Sequence, residues 1–418
     1  MKAVVDGSIT VISPSKVAST CEKAGVGDMI LEAGLVGVPS LAILTAWNPS
    51  SLAEAVVESC AFILAFVTLL IRVRRKQCLY HPLFLAAVTL PIIGCVQLAT
   101  RFPAYPFAAI RAVLYWGSVA ALTLAAGLQL DTRRSRSLVL SLIGVLGLLA
   151  TFLELHQIYG KHRYGLTATG YPLLSSNYYA ELIELILPVI LSRAFRDQRL
   201  WWLHLTLTCL LVSTVIATAA RVGTILVLLE CIVLVCLNFS RLLLLRRQWT
   251  KICTAFVALV TACVLLQGPS TLVKRLGEAE PLAGRSEITR SAVDMIRSRP
   301  MKGYGLGSFP VVYPAFAHFD DGYFVNHAHN DWLEAMTDGG PLLLAALAAF
   351  IFFSGYLGVR ATWGFGLAVL PLHAAVDFPL QRPGVMLLYA VIAGAAYARY
   401  TQYGCELLPI TSVPATII

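Results

Sequence analysis

The stretch Arg133-Arg-Ser-Arg-Ser-Leu-Val-Leu-Ser-Leu-Ile-Gly-Val-Leu-Gly-Leu-Leu-Ala-Thr-Phe-Leu153 places three arginines in front of seventeen residues without a charge. An apolar helix of about 20 residues crosses the hydrocarbon core of a bilayer. Basic residues mark the end of such a helix that stays in the cytoplasm. The same pattern recurs along the chain. Of its 418 residues, 58% are hydrophobic and 13% are charged, with a mean hydropathy of +0.75. Soluble domains carry about 25% charged residues, so this chain has too few to cover a water-facing surface. Backbone groups in lipid must be paired within their own segment, which selects helices. A β-barrel shows short alternating segments, and these runs are continuous.

The fold class is therefore all-α: a polytopic membrane protein of about twelve transmembrane helices with one large outer loop. The apolar runs predict spans at about 28–47, 53–73, 78–99, 107–130, 137–156, 176–195, 200–218, 222–240, 251–267, 339–358, 362–380 and 384–402. Residues 1–267 then hold helices one to nine, 268–338 form the loop, and 339–418 hold helices ten to twelve and a tail. The first span is the weakest, because it contains Glu32 and two glycines.

Lysine and arginine fix the orientation. One set of alternate short loops carries Arg72, Arg74, Arg75 and Lys76, then Arg133, Arg134 and Arg136, then Arg193, Arg196 and Arg199, then Arg241, Arg246, Arg247 and Lys251, then Arg360. The opposite set carries Arg101, Lys161, Arg163, Arg221 and Arg382. The contrast is fifteen against five, so both termini are expected in the cytoplasm and the long loop outside. The net charge of +9 is thus a topology signal and not a nucleic-acid face. Of ten cysteines only Cys21 and Cys405 lie clearly outside apolar runs, and no disulfide framework or metal spacing is visible. The N-terminus shows no cleaved signal peptide.

The loop has its own pattern. Gly284 to Arg299 reads as an amphipathic helix, with Ile288, Ala292, Met295 and Ile296 on one face, ended by Pro300. A turn rich in glycine follows, Gly303-Tyr-Gly-Leu-Gly307, then an aromatic stretch from Phe309 to Phe324. The loop closes on Asn326-His-Ala-His-Asn-Asp-Trp-Leu-Glu334.

Three groups of residues are candidates for chemistry. His327 and His329, with Asn330 and Asp331, suit proton transfer near neutral pH; the alternative is that they cap the helix starting near 330. A zinc site lacks a nearby cysteine or an evident third ligand. Arg221 stands on the side that basic residues avoid, where a guanidinium fork suits phosphate and simple snorkelling is the alternative. Arg101, Arg382, Arg285 and Arg290 share that reading or a solvated surface. The third group is polar residues within apolar runs: His373 and Asp377 four apart, Glu181 and Glu184 three apart after Asn177, and Glu230 alone. The glycine series does not follow a strand of a βαβ unit, which argues against a nucleotide-binding loop.

The segment from Arg285 through Met295-Ile-Arg-Ser-Arg-Pro300-Met-Lys-Gly303-Tyr-Gly-Leu-Gly-Ser-Phe309, followed by His329-Asn-Asp-Trp-Leu-Glu334, resembles the O-antigen ligase superfamily. The superfamily includes lipopolysaccharide O-antigen ligases, Wzy-type polysaccharide polymerases and bacterial O-oligosaccharyltransferases. Ala219-Ala-Arg221-Val-Gly223 and His373-Ala-Ala-Val-Asp377-Phe-Pro-Leu-Gln381 also look like its patterns, so the likeness spans roughly 165 to 385. The family's histidine motif continues to Gly-x-x-Gly, whereas here it reads Gly339-Gly-Pro-Leu-Leu343.

The resemblance implies a glycosyltransferase without metal or other cofactor, in the bacterial inner membrane. Its donor would be a glycan on undecaprenyl diphosphate. Its acceptor would be a hydroxyl of a glycan, of lipid A–core or of a protein, met at the periplasmic face, in lipopolysaccharide or exopolysaccharide synthesis. It makes His329 catalytic and Arg221 the holder of the donor diphosphate. Arg285, Arg101 and Arg382 are the further candidates for diphosphate binding, and His327, Asn330, Asp331, His373, Asp377, Asn177 and Glu181 the candidates for supporting roles. A transporter of lipid-linked glycans is the competing class, and it would more plausibly show repeat symmetry, of which the sequence has none.

Overall fold

A computed structural model of the chain describes residues 2–5, 8–11, 25–46, 50–72, 81–160, 172–173, 175–197, 199–238, 254, 256–258, 260–261, 283–318, 322 and 324–404. Apart from a short N-terminal hairpin, β1 (Lys2–Val5) with β2 (Ser8–Val11), these residues fold into helices. They are α1 (Val26–Thr45), α2 (Ser51–Arg72), α3 (Pro82–Ala99), α4 (Pro106–Gln129), α5 (Arg133–Leu155), α6 (Ser176–Ala194), α7 (Trp201–Ala217), α8 (Arg221–Leu237), α9 (Ala283–Ser298), α10 (Asp331–Ala361), α11 (Gly366–His373) and α12 (Pro383–Gly404).

Among the described residues six helices are long and apolar enough to cross a membrane: α1, α2, α3, α4, α5 with its π-turn, and α10. The first span, doubtful because of Glu32, is one of them; Glu32 is buried inside the bundle. α6 (19 residues) and α12 (22 residues) are of similar length but carry more polar groups, and both are buried along most of their length. α12 packs most heavily on α4. The ninth expected span, 251–267, lies almost wholly outside the described residues, as do the basic clusters at 74–76 and 241–251.

Two expected spans change form. The tenth was expected at 339–358; the helix starts at Asp331 and runs 31 residues, so 331–338 belong to it and not to the loop. It is broken at Gly340, whose φ of +63° and following Pro341 interrupt the hydrogen-bond ladder. The eleventh was expected at 362–380; its helix, α11, has eight residues. That is about 12 Å, against a hydrocarbon thickness of about 30 Å. The remaining distance is covered by the turn 374–382, which returns the chain to the start of α12. Side chains and backbone from elsewhere claim its peptide groups. Asp331 N donates to Ala374 O at 2.9 Å, Asn330 Nδ2 to Ala375 O at 2.8 Å, Arg285 Nη1 to Val376 O at 2.5 Å, and Leu380 N to Asp331 Oδ2 at 2.9 Å. Irregular backbone at this depth is tolerated where protein buries it.

The two ends of the bundle differ in chemistry. At one end Arg72 pairs with Asp28 and donates to Gln129 at 3.1 Å, Arg136 pairs with Gln402, and Arg196 donates to Thr362 at 2.9 Å. The other end gathers the start of α2, α4, α6, α8, α10 and α12 around a cavity. Over this end sits α9, whose Ile288, Ala292 and Met295 are buried against Tyr304, Phe309, Tyr313 and Ala328, the face expected from its periodicity. The turn 303–307 is clamped to the kink of α10. Gly303 and Gly340 each have positive φ, and a Cβ on either would lie 2.4 Å from a carbonyl oxygen, of Thr337 and Met301 respectively.

Candidate active site

His329 sits immediately before the α10 cap. Asn330 is the cap itself, its Oδ1 accepting from Trp332 N at 3.0 Å and Leu333 N at 3.1 Å. Capping and chemistry therefore fall to neighbouring residues and do not compete for one side chain. His329 takes φ +50°, a left-handed conformation that a residue with a Cβ adopts at a cost of about 1–3 kcal/mol and that gathers at functional sites. It turns the ring toward the loop after α11, where Nδ1 lies 3.4 Å from Asp377 Oδ1 and the ring meets Phe378 edge-on at 4.9 Å. His327 stacks on Phe378 at 4.5 Å. Its Nδ1 is 2.9 Å from Glu334 Oε1, and Glu334 Oε2 accepts from Ala328 N at 2.8 Å.

Asp377 is the junction of the site. Arg285 Nη2 stands 3.2 Å from its Oδ2, Arg382 Nη2 stands 3.3 Å from its Oδ1, and Asn177 Nδ2 donates to it as well. The carboxylate belongs to the turn 374–382, outside the helices. Asp377 is 1% exposed, and the His329 ring, Arg382 and Arg285 supply the partners that a buried carboxylate needs. Arg382 also pairs with Glu181 and lies 4.3 Å over the Phe378 ring. Behind Glu181, His373 Nε2 is 4.0 Å away, and His373 Nδ1 is 2.8 Å from Glu184.

A cavity of about 880 Å³ joins these residues. His327, His329, Arg221, Arg285, Arg382, Asp377 and Asn177 all line it. Arg221 enters as the first residue of α8, after Ala219 with φ +56°. Gly223 lets α8 approach α6, since a Cβ there would lie 2.3 Å from the Ala180 methyl. Glu181 and His373 are buried behind the lining, and Asp331 is buried holding the turn after α11. Arg101 ends α3 outside the lining, and Arg290 pairs with Glu287 on the exposed face of α9.

The turn 303–307 offers its amides to protein and not to a ligand. Gly305 N donates to Asp338 O at 2.8 Å, Gly307 N to Asp338 Oδ2 at 2.6 Å, Phe309 N to Asp338 Oδ1 at 3.0 Å, and Leu306 N to Gln97 Oε1 at 2.8 Å. The departure from Gly-x-x-Gly is accommodated, because Gly340 alone supplies the positive φ of the kink. Among the described residues the donors close enough to share a metal ion are Glu181, His373 and Asp377, within 4.8 Å of one another. Arg382 already pairs with two of these three and Arg285 with one, which leaves the group little negative charge for a divalent ion.

The sequence analysis did not single out Glu54, Glu58, Arg111, Tyr115, Tyr178 or Phe378, all of which line the cavity. The two glutamates carried a usable signal, as carboxylates one turn apart in an apolar helix.

Residues 206–348 match the model of the family described as O-antigen ligase. That match takes in 143 of the 418 residues and supports the resemblance to the O-antigen ligase superfamily. No curated protein matches the chain. Within the superfamily match lie α7, α8, α9, the His329 motif and the first part of α10, and with them Arg221 and Arg285. Asp377 and Arg382 lie beyond it, joined to it by the contacts above. Members of the matched family are glycan ligases or polymerases, and the six long apolar helices together with the match support a membrane protein.

Proposed function

We propose that the protein is a glycosyltransferase that moves a glycan from undecaprenyl diphosphate to an acceptor hydroxyl, without a metal. The observation that carries this reading is the cavity itself, in which a histidine on a strained backbone shares about 880 Å³ with Arg221, Arg285 and Arg382. The ring nitrogen of His329 away from Asp377 takes the proton of the acceptor hydroxyl. The acceptor oxygen attacks the anomeric carbon, the bond from that carbon to the phosphate oxygen breaks, and undecaprenyl diphosphate leaves with the electron pair. Asp377 fixes the ring and stabilises its protonated form. The guanidinium groups neutralise the charge that grows on the diphosphate. A single displacement of this kind inverts the anomeric centre.

The basic residues of one set of alternate short loops, among the described residues Arg72, Arg133, Arg134, Arg136, Arg193, Arg196, Arg199 and Arg360, lie away from the cavity lining, and the positive-inside bias then sets the cavity on the periplasmic side of a bacterial inner membrane, with both termini in the cytoplasm. In this topology the chain crosses about twelve times, α11 and its turn together making one crossing. Ligation to lipid A–core, polymerisation of a polysaccharide and transfer to protein share this donor chemistry. The protein reconstituted in lipid nanodiscs, given lipid-linked glycan from a strain lacking it, is expected to form a new glycosidic linkage, and His329→Ala to form none while inserting normally. Wild-type rates from His329→Ala overturn the assignment, and a wild type that translocates glycan without changing its linkage establishes a transporter instead.

A further inference from the structure

The cavity has a second polar wall that the transfer chemistry leaves unused. Glu54 and Glu58 stand one turn apart on α2, Arg111 and Tyr115 one turn apart on α4, and all four line the cavity. Arg111 is engaged by Glu54, its Nε donating to Oε2 at 2.9 Å and its Nη2 to Oε1 at 2.5 Å. Tyr115 donates to the Leu380 carbonyl at 2.5 Å. Glu58 is different: among the described residues no donor reaches its carboxylate. An ionisable group in an apolar helix of membrane-crossing length is costly, and Glu58 spends its exposure on the cavity.

The second open group is the Tyr178 hydroxyl. Its side chain is 2% exposed and lines the same cavity; the Gly384 backbone N–H approaches the hydroxyl oxygen, and the hydroxyl's own hydrogen meets no acceptor among the described residues. Tyr115 is within electrostatic reach of both Glu58 and Tyr178, so the three form one patch. An open carboxylate beside an open hydroxyl suits a ligand that donates and accepts. Diphosphate only accepts, and two carboxylates on α2 repel it. A sugar hydroxyl donates to the carboxylate and accepts from the tyrosine.

We propose that this wall is the subsite for the acceptor's saccharide, with Glu58 and Tyr178 binding its hydroxyl groups. The inference rests on the transferase reading above and deepens it. The two walls sort the substrates by charge: the diphosphate goes to arginines from α8, α9 and the residue before α12, and the neutral polyol to α2, α4 and the start of α6. The pairing of Arg111 with Glu54 keeps that cation from competing for the phosphate.

The test is steady-state transfer by the full-length protein in nanodiscs. The donor is the lipid-linked glycan, and the acceptor the unmodified acceptor fraction, both extracted from a strain lacking the chain. Glu58→Gln and Tyr178→Phe are each expected to raise KM for the acceptor about 10-fold, the loss of one or two hydrogen bonds. Donor KM is expected to stay within about twofold, with unchanged melting temperature. Either variant decides alone if the other fails to fold. Unchanged acceptor KM overturns the subsite. An equal rise of donor and acceptor KM overturns it too, and marks the residues as structural. A wild type without transfer overturns the transferase reading and this one together, whereas an active wild type, an inactive His329→Ala and an indifferent Glu58→Gln overturn this inference alone.

Discussion

His329 Nδ1 and Asp377 Oδ1 lie 3.4 Å apart, and this contact joins the segment before α10 to the turn after α11. The same carboxylate faces Arg285 and Arg382. Asp377→Asn keeps the shape and removes the charge. Transfer is expected to fall on the order of 100-fold, the lower end of what a positioned general base contributes. Rates within about twofold of wild type would remove Asp377 from the mechanism.

Gly303 and Gly340 form the clamp between the loop turn and the α10 kink. Gly303→Ala and Gly340→Ala each put a methyl into a carbonyl at positive φ. Each is expected to destabilise by about 2 kcal/mol or more, seen as a lower melting temperature or loss of the monodisperse protein. Gly284→Ala, in α9 with no atom within 4 Å of its Cβ, is the control and is expected to leave stability unchanged or slightly raised. Equal behaviour of all three contradicts the clamp.

Arg221, the leading arginine of the sequence reading, lines the cavity, and Arg101, the further candidate from the same side, does not. Arg221→Lys replaces a fork by a point charge and is expected to raise KM for the lipid-linked donor about 10-fold. Arg101→Ala is expected to leave it unchanged. The reverse ranking, measured in the same transfer assay, sinks the assignment of the phosphate wall.

Hydrophobic run length made the six long apolar helices legible, because it is a local property of the chain. Val26–Thr45 was recognisable as a span even with Glu32 inside it, and the apolar face of α9 was read correctly from Ile288, Ala292 and Met295. The extent of α11 was not legible. Pro379 is a local stop that the sequence shows, but the helix ends earlier, at His373, where Asp331, Asn330 and Arg285 take the carbonyls of Ala374, Ala375 and Val376. The histidine motif and Arg221 stood out as polar residues where few are expected. Glu58 and Tyr178 did not, because their significance lies in sharing one cavity wall, and that wall exists only once distant helices meet.

The clamp between the turn 303–307 and α10 also governs motion. Asp338 and Thr337 hold the backbone of that turn, and Asn330 and Asp331, at the start of the same helix, hold the turn after α11. The base, the loop above it and the carboxylate beside it therefore travel as one body. A lipid-linked substrate longer than the cavity cannot enter by displacing His329 alone. The opposite wall is held less firmly: over its most apolar stretch α2 is 17% buried, so entry from that side would disturb fewer packed side chains.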